Sequence, residues 1–126
     1  MELDQYLYDE FIAEANEHLL TIEDDFMALE EMKDAPDPDL VDKVFRAVHS
    51  VKGGSAFLGL TRINELAHAM ENLLSQIREN EKRPESEYID ALLQGVDLLS
   101  GMIADVASSN ETDISDIHAR LKAMVA

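Results

Sequence analysis

The 126-residue sequence contains no cysteine and no tryptophan, and it has only five glycines and three prolines. Without cysteine it has no disulfide bridges, thiolate metal sites or cysteine nucleophiles. No apolar run approaches the ~18 residues that cross a membrane, and the acidic start MELDQYLYDEF lacks the positive charge of a secretory signal. We therefore expect a cytoplasmic protein without a membrane partner.

Basic residues are also scarce, since 10 Lys and Arg stand against 27 Asp and Glu and give a formal net charge of −17. This charge repels nucleic acid and anionic lipid, and no run of basic residues opposes it. The length suits one domain, at residues 1–126, and leaves no room for a nucleotide-binding catalytic domain beside it. At 46% hydrophobic residues the chain can bury a core, so it is not a disordered acidic tail.

Apolar side chains recur every three or four residues between clusters of glycine, proline and small polar residues, which is the pattern of amphipathic helices. The pattern predicts five helices, at about residues 4–31, 38–58, 62–80, 87–107 and 113–125. Asp37 followed by Pro38 is a typical helix start. Because the connections are short, we expect an all-α fold: an antiparallel up-and-down four-helix bundle with an additional C-terminal fifth helix.

His49 is the first candidate for chemistry. On a helical wheel it lies roughly 130° from the apolar stripe that centres near Val48, so its imidazole should face water. Gly53 and Ala56 follow on the same face with almost no side chain. Gly53 and Gly54 each cost on the order of 1 kcal/mol of stability relative to alanine in a helix interior. This cost indicates that something must come close to this face of the helix.

Two segments carry a resemblance to a known family. The run His49-Ser-Val-Lys-Gly-Gly-Ser-Ala-Phe-Leu-Gly-Leu60 resembles the signature of histidine phosphotransfer (HPt) domains. The segment His68-Ala-Met-Glu-Asn-Leu-Leu74 is similar to the matching part of the N-terminal phosphotransfer domain of chemotaxis-type histidine kinases. The resemblance spans nearly the whole chain, and it implies that His49 is phosphorylated.

The resemblance also implies the roles of the neighbouring residues. It assigns to Glu71 the carboxylate that orients the imidazole; if Nδ1 donates its proton there, Nε2 is left free and more basic. An imidazole titrates near ~6.5, so a ring nitrogen can act as a nucleophile at neutral pH. Lys52, one helical turn from His49, is expected to offset phosphoryl charge. His68 matches the family's second histidine and is expected to extend the network around Glu71.

The implied function is that of a phosphoryl carrier that does not phosphorylate itself alone. His49 would receive the γ-phosphoryl group of ATP from a histidine-kinase catalytic domain and pass it to an aspartate of a response-regulator receiver domain. We expect no cofactor or metal in this domain, ATP and magnesium on the partner domains, and a monomer in isolation. Gly53 and Ala56 would leave room for partners, and Phe45 and Phe57 would supply apolar contact.

Three other functions compete with this one. A di-iron or ferritin-like bundle needs two Glu-x-x-His pairs, and only Glu65 with His68 forms one. An acyl carrier protein would resemble its family through an Asp-Ser-Leu attachment site, which the sequence lacks. A non-catalytic helical-bundle adaptor explains the helices and the charge, but it leaves the set of His49, Lys52 and Glu71 unexplained.

His18 and His118 are expected to be core or boundary histidines.

Overall fold

The computed structural model describes the backbone of residues 2–126 and the side chains of residues 4–126. Within this range the chain forms helices and no strand. The elements are α1 (Glu2–His18), α2 (Ile22–Glu31), α3 (Pro38–Phe57), α4 (Thr61–Arg78), α5 (Ser86–Ala104), a 3₁₀ helix (Val106–Glu111) and α6 (Ser115–Val125).

The helices assemble as the predicted four-helix bundle with an additional C-terminal helix. α1 and α2 follow one another along one corner of the bundle, and both pack against α3 and α5. α3 and α4 form the most extensive pair, and α6 lies against α4 and α5. The all-α fold class is therefore confirmed. None of the helices in the described range is long and apolar enough to cross a bilayer.

The prediction of one continuous helix over residues 4–31 is wrong, because a turn at residues 19–21 separates α1 from α2. The backbone N–H groups of Leu20 and Ile22 bond to carbonyls only three residues back, which tightens the helix at this point. Thr21 is a weak helix former, and three acidic residues after it favour a new helix N-terminus. Buried positions continue through the turn at spacings of three and four, so the periodicity did not reveal it.

The fourth predicted helix, at residues 87–107, also ends too late, since α5 stops at Ala104 and a 3₁₀ helix follows. A tertiary contact holds this segment. The Asn110 side chain donates to the Gly59 carbonyl at 3.1 Å and accepts from the Thr61 hydroxyl at 3.2 Å. The last helix begins at Ser115 rather than residue 113, because Asp113 accepts hydrogen bonds from the backbone and hydroxyl of Ser115.

α3 is the helix that presents the candidate residues, and it begins as predicted. The Asp37 side chain accepts a hydrogen bond from the Asp39 backbone N–H at 3.0 Å, and Pro38 occupies the first helical position. Its predicted apolar stripe is buried throughout, at Val41, Val44, Val48, Val51 and Ser55. This stripe sets the rotation of α3 and leaves His49 on the outer face.

The two adjacent glycines of α3 have different surroundings. A Cβ atom at Gly54 would lie 2.8 Å from the ring of Phe11, so Gly54 lets α1 approach α3 closely. A Cβ atom at Gly53 would meet nothing within 4 Å. The expectation that something must come close is therefore met at Gly54 by α1 of the same chain, while the space beside Gly53 is open.

These two glycines should respond in opposite ways to alanine. Gly53→Ala should raise the free energy of unfolding by up to about 1 kcal/mol, because alanine is the better helix former and has open space. Gly54→Ala should lower it, because overpacking against Phe11 costs about 1–3 kcal/mol and outweighs that gain. Urea unfolding of the two variants measures the difference, and equal stabilities would contradict the packing account.

Candidate functional site

Three of the sequence-predicted residues meet in the groove between α3 and α4. Nδ1 of His49 lies 2.5 Å from Oε2 of Glu71, and Nζ of Lys52 lies 2.7 Å from Oε1 of the same carboxylate. Glu71 is 8% exposed as a residue, whereas the side chains of His49 and Lys52 are 60% and 26% exposed. A buried carboxylate thus holds one exposed imidazole and one partly covered ammonium.

Local helical geometry explains this arrangement. His49 and Lys52 are three residues apart and share a face of α3. Glu71 belongs to the buried side of α4, at the edge that faces α3. The Lys52 carbonyl accepts hydrogen bonds from the side chains of Ser55 and Asn64, both at 2.9 Å, and Asn64 thereby ties α4 to α3 beside the site. The periodicity places Ser55 only in the buried stripe of α3, and it does not point to Asn64, because a bond between two helices leaves no pattern within either one.

The electrostatics of Glu71 determine which imidazole nitrogen carries hydrogen. Burial raises the pKa of Glu71, but the hydrogen bonds from Lys52 and His49 and the positive charge of Lys52 outweigh burial and lower the pKa below its usual 4.5. The carboxylate is therefore ionised at neutral pH and can only accept hydrogen bonds. Because the carboxylate faces Nδ1, the neutral form of the imidazole carries its hydrogen on Nδ1, and the lone pair of that tautomer lies on Nε2.

A second contact to the imidazole comes from Phe45, one turn earlier in α3. The two rings are nearly parallel, with an angle of 10° between their planes and 5.9 Å between their centroids. The guanidinium carbon of Arg78 lies 3.7 Å from the centroid of the Phe45 ring. Phe45 is therefore half-buried rather than freely exposed.

His68 is not brought into this network. In the described part of the chain, Glu71 accepts side-chain hydrogen bonds from His49 and Lys52, and none joins it to His68. His68 is exposed on α4 and lines a separate groove of about 340 Å³ against α6, where half-buried His118 also lies. His18 is exposed, so the expectation of a core or boundary position is wrong for it and right for His118.

The remaining predicted residues form a surface that continues from His49 toward the end of α3. Gly53 and Ala56 are exposed, and the Phe57 side chain is 77% exposed. We call these three residues the docking strip. A shallow cavity of about 180 Å³ adjoins it, between α3 and the charged and apolar side chains of α1.

Metal binding has no support from side-chain clustering. Across the part of the chain that the structure describes, no three His, Asp or Glu side chains converge as metal ligands would. Glu65 and His68, which form the Glu-x-x-His pair, are both exposed on α4.

Glu71→Gln should reduce the fall in the free energy of unfolding on acidification. Because the folded-state pKa of Glu71 lies below 4.5, the unfolded chain binds this proton more readily than the folded protein does. The carboxylate therefore stabilises the fold above pH 4.5 and loses that contribution as the pH falls through the lowered pKa.

Urea unfolding from about pH 7 to about pH 3 should show a smaller decline for Glu71→Gln than for the wild type. Glu17→Gln, which removes an exposed carboxylate on α1, is the control and should decline as the wild type does. Parallel declines in the wild type and Glu71→Gln would contradict the role given to the two hydrogen bonds.

Comparison with known proteins places this geometry in a family. The family model described as "Hpt domain" matches residues 7–109. Chemotaxis protein CheA of Bacillus subtilis is 38% identical over 123 residues, which cover 96% of this chain and 18% of that protein. Chemotaxis protein CheA of Salmonella typhimurium is 33% identical over 111 residues, 88% of this chain and 16% of that protein. The chain spans less than a fifth of the length of these curated relatives.

Solved structures agree with the sequence comparison. The phosphorylated P1 domain of CheA3 in complex with CheY6 from R. sphaeroides superposes with a TM-score of 0.81, at 27% identity over 97% of this chain and 96% of that one. The CheA phosphotransferase domain from Thermotoga maritima superposes with a TM-score of 0.73, at 30% identity over 83% of this chain and 97% of that one. With its fold, its histidine–glutamate pair and these matches taken together, the chain belongs to the Hpt domain family.

Proposed function

We propose that this domain carries a phosphoryl group on Nε2 of His49, which it receives from a histidine-kinase catalytic domain and passes to an aspartate of a response-regulator receiver domain. One observation carries the proposal. The hydrogen bond between Nδ1 and buried Glu71 leaves Nε2 as the free nitrogen of an imidazole that is 60% exposed. A nucleophile for phosphorus needs this free lone pair and this access.

The relatives support the choice of partners. One similar structure is a phosphorylated P1 domain bound to CheY6, and the curated relatives are chemotaxis CheA proteins. By similarity, this domain would meet a kinase catalytic domain in the first step and a receiver domain in the second. ATP and magnesium would come with those partners. The domain itself would be substrate and carrier, and it would not phosphorylate itself alone.

Both steps are displacements at phosphorus. In the first, the Nε2 lone pair forms a bond to the γ-phosphorus of ATP. The bond from that phosphorus to the oxygen bridging the β- and γ-phosphates breaks, and ADP leaves. The Nδ1 hydrogen stays in place, and the Glu71 carboxylate offsets the positive charge that develops on the ring. In the second, an aspartate oxygen forms the O–P bond, the N–P bond breaks, and its electron pair returns to Nε2. His49 is then ready for another cycle.

Lys52 would assist by charge. Its ammonium is held by Glu71 on the same face of α3 as His49, where it can offset the charge of the phosphoryl oxygens. In a chain of net charge −17, a local cation also lessens repulsion of an incoming anionic group. Catalysis of this kind rests on position and charge, because the partner supplies the phosphorus and this domain supplies the oriented nucleophile.

His49→Gln should abolish phosphorylation while thermal melting stays almost unchanged, because the side chain lies mostly in solvent. Two donors test this: labelled ATP with the catalytic core of Bacillus subtilis CheA, and phosphoramidate, a small donor that needs no docking surface. His18→Gln, on an exposed face of α1, is the matched control and should be labelled like the wild type.

The label should be acid-labile and should map to His49. Label on another residue would contradict the assignment of the acceptor. No label from either donor would contradict phosphoryl transfer altogether and would favour a non-catalytic adaptor bundle.

Gly53→Gln should obstruct partners without disturbing the acceptor. The added side chain would project into the open space beside His49, so transfer from the kinase should slow by at least about tenfold through misplacement of the reacting groups. Reaction with phosphoramidate should stay unchanged. Gly53→Ala, which adds a single methyl group, is the matched control. Full kinase-dependent transfer in the glutamine variant would contradict the proposal that the docking strip meets the partner.

A further inference from the structure

Phe45 makes a contact that partner docking does not require. Its ring lies nearly parallel to the His49 imidazole, at 10° and 5.9 Å between centroids, and the Arg78 guanidinium covers one face at 3.7 Å. This arrangement exists within the domain before any partner binds. We propose that Phe45, held in place by Arg78, is a positioning residue that fixes the plane of the His49 imidazole for phosphoryl transfer; the inference rests on the function proposed above.

One hydrogen bond is not enough to orient an exposed ring. The side chain holds the imidazole at Cγ and the bond to Glu71 holds it at Nδ1, but the ring can still tilt about the line that joins these two points. With 60% of the side chain exposed, few neighbouring atoms oppose this tilt. The offset, near-parallel contact with Phe45 supplies a second constraint, and aromatic pairs favour this geometry. Two constraints together keep the Nε2 lone pair pointing in one direction.

Phe45 can supply this constraint because it is itself held. Arg78 lies over its ring, and the guanidinium also approaches the Asp42 carboxylate at 3.8 Å. Asp42 is further bound by Arg46 at 2.7 Å. A series of side-chain contacts thus links Asp42 through Arg78 and Phe45 to the imidazole.

α4 provides both supports of the imidazole. Arg78 follows Glu71 by seven residues, which is about two helical turns, so the two side chains share a face of α4. Glu71 holds Nδ1 directly, and Arg78 holds the ring that stacks on the imidazole. The packing of α4 against α3 therefore sets the position and the plane of the nucleophile together.

A docking role and a positioning role for Phe45 predict different results with a small donor. Docking residues matter only when a protein partner is present, whereas a misoriented imidazole reacts more slowly with any donor. In the reaction with phosphoramidate, Nε2 forms the N–P bond, the original P–N bond breaks and ammonia leaves. This reaction uses no protein surface, so its rate reports the nucleophile alone.

The test compares Phe45→Leu, which keeps apolar volume, with Phe45→Tyr, which keeps the ring. The leucine variant should react with phosphoramidate about three- to tenfold more slowly, the range that loss of an aromatic pair produces in a rate. The tyrosine variant should restore the wild-type rate. Tyr88→Leu is the matched control, because Lys82 lies 5.5 Å from the centroid of that ring on α5, and its rate should not change.

Nitrogen-15 NMR of the imidazole separates positioning from a loss of stability. In the folded wild type the spectrum should show hydrogen on Nδ1. In Phe45→Leu the two nitrogen signals should move toward each other, because a tilted ring weakens the bond from Nδ1 to Glu71 and lets the two tautomers exchange. Arg78→Gln should change the rate and the signals in the same direction but less. If Phe45→Leu does not fold, Arg78→Gln decides the question alone.

A wild-type rate with unchanged nitrogen signals in the folded leucine or glutamine variant would overturn the inference and leave the proposed function intact. Failure of wild-type His49 to react with phosphoramidate would instead count against the proposed function. The nitrogen signals would still report on the orientation of the ring in that case.

Discussion

The hydrogen bond between the His49 imidazole and the Glu71 carboxylate is the interaction on which the site depends. It joins a mostly exposed ring to a buried anion, and the two hydrogen bonds that Glu71 accepts keep its pKa low despite burial. Because an ionised carboxylate cannot donate, the neutral imidazole has its hydrogen on Nδ1 and its lone pair on Nε2. The phosphoryl transfer proposed for the domain follows from this one assignment, and Lys52 is proposed to contribute charge beside it.

The bundle serves this interaction by fixing α3 against its neighbours. Gly54 lets α1 pack closely through Phe11, and the Lys52 carbonyl ties α3 to α4 through Asn64. The histidine comes from one helix and its carboxylate from the next, so any sliding between α3 and α4 would break the pair. A rigid core with an exposed imidazole suits the proposed role of a carrier that meets two different partners.

Much of this arrangement could be predicted from periodicity, but the contacts between helices could not. The buried stripe of α3 placed His49 outward correctly, whereas the turn at residues 19–21 escaped detection because buried spacing continues through it. The 3₁₀ segment depends on Asn110 reaching the Gly59 carbonyl, a bond between distant parts of the chain. The role proposed for Glu71 came from the resemblance, and the contact of Arg78 with Phe45 could be found only in the structure.

The central claim is that Glu71 leaves Nε2 as the reactive nitrogen. The most direct test is to determine which nitrogen is bonded to phosphorus in the phosphorylated domain. Phosphorus–nitrogen coupling in a nitrogen-15-labelled, phosphorylated sample measures this by NMR. The account predicts coupling to Nε2, with hydrogen retained on Nδ1. Coupling to Nδ1 would contradict it, because phosphorus would then be bonded to the nitrogen that should donate its hydrogen to Glu71.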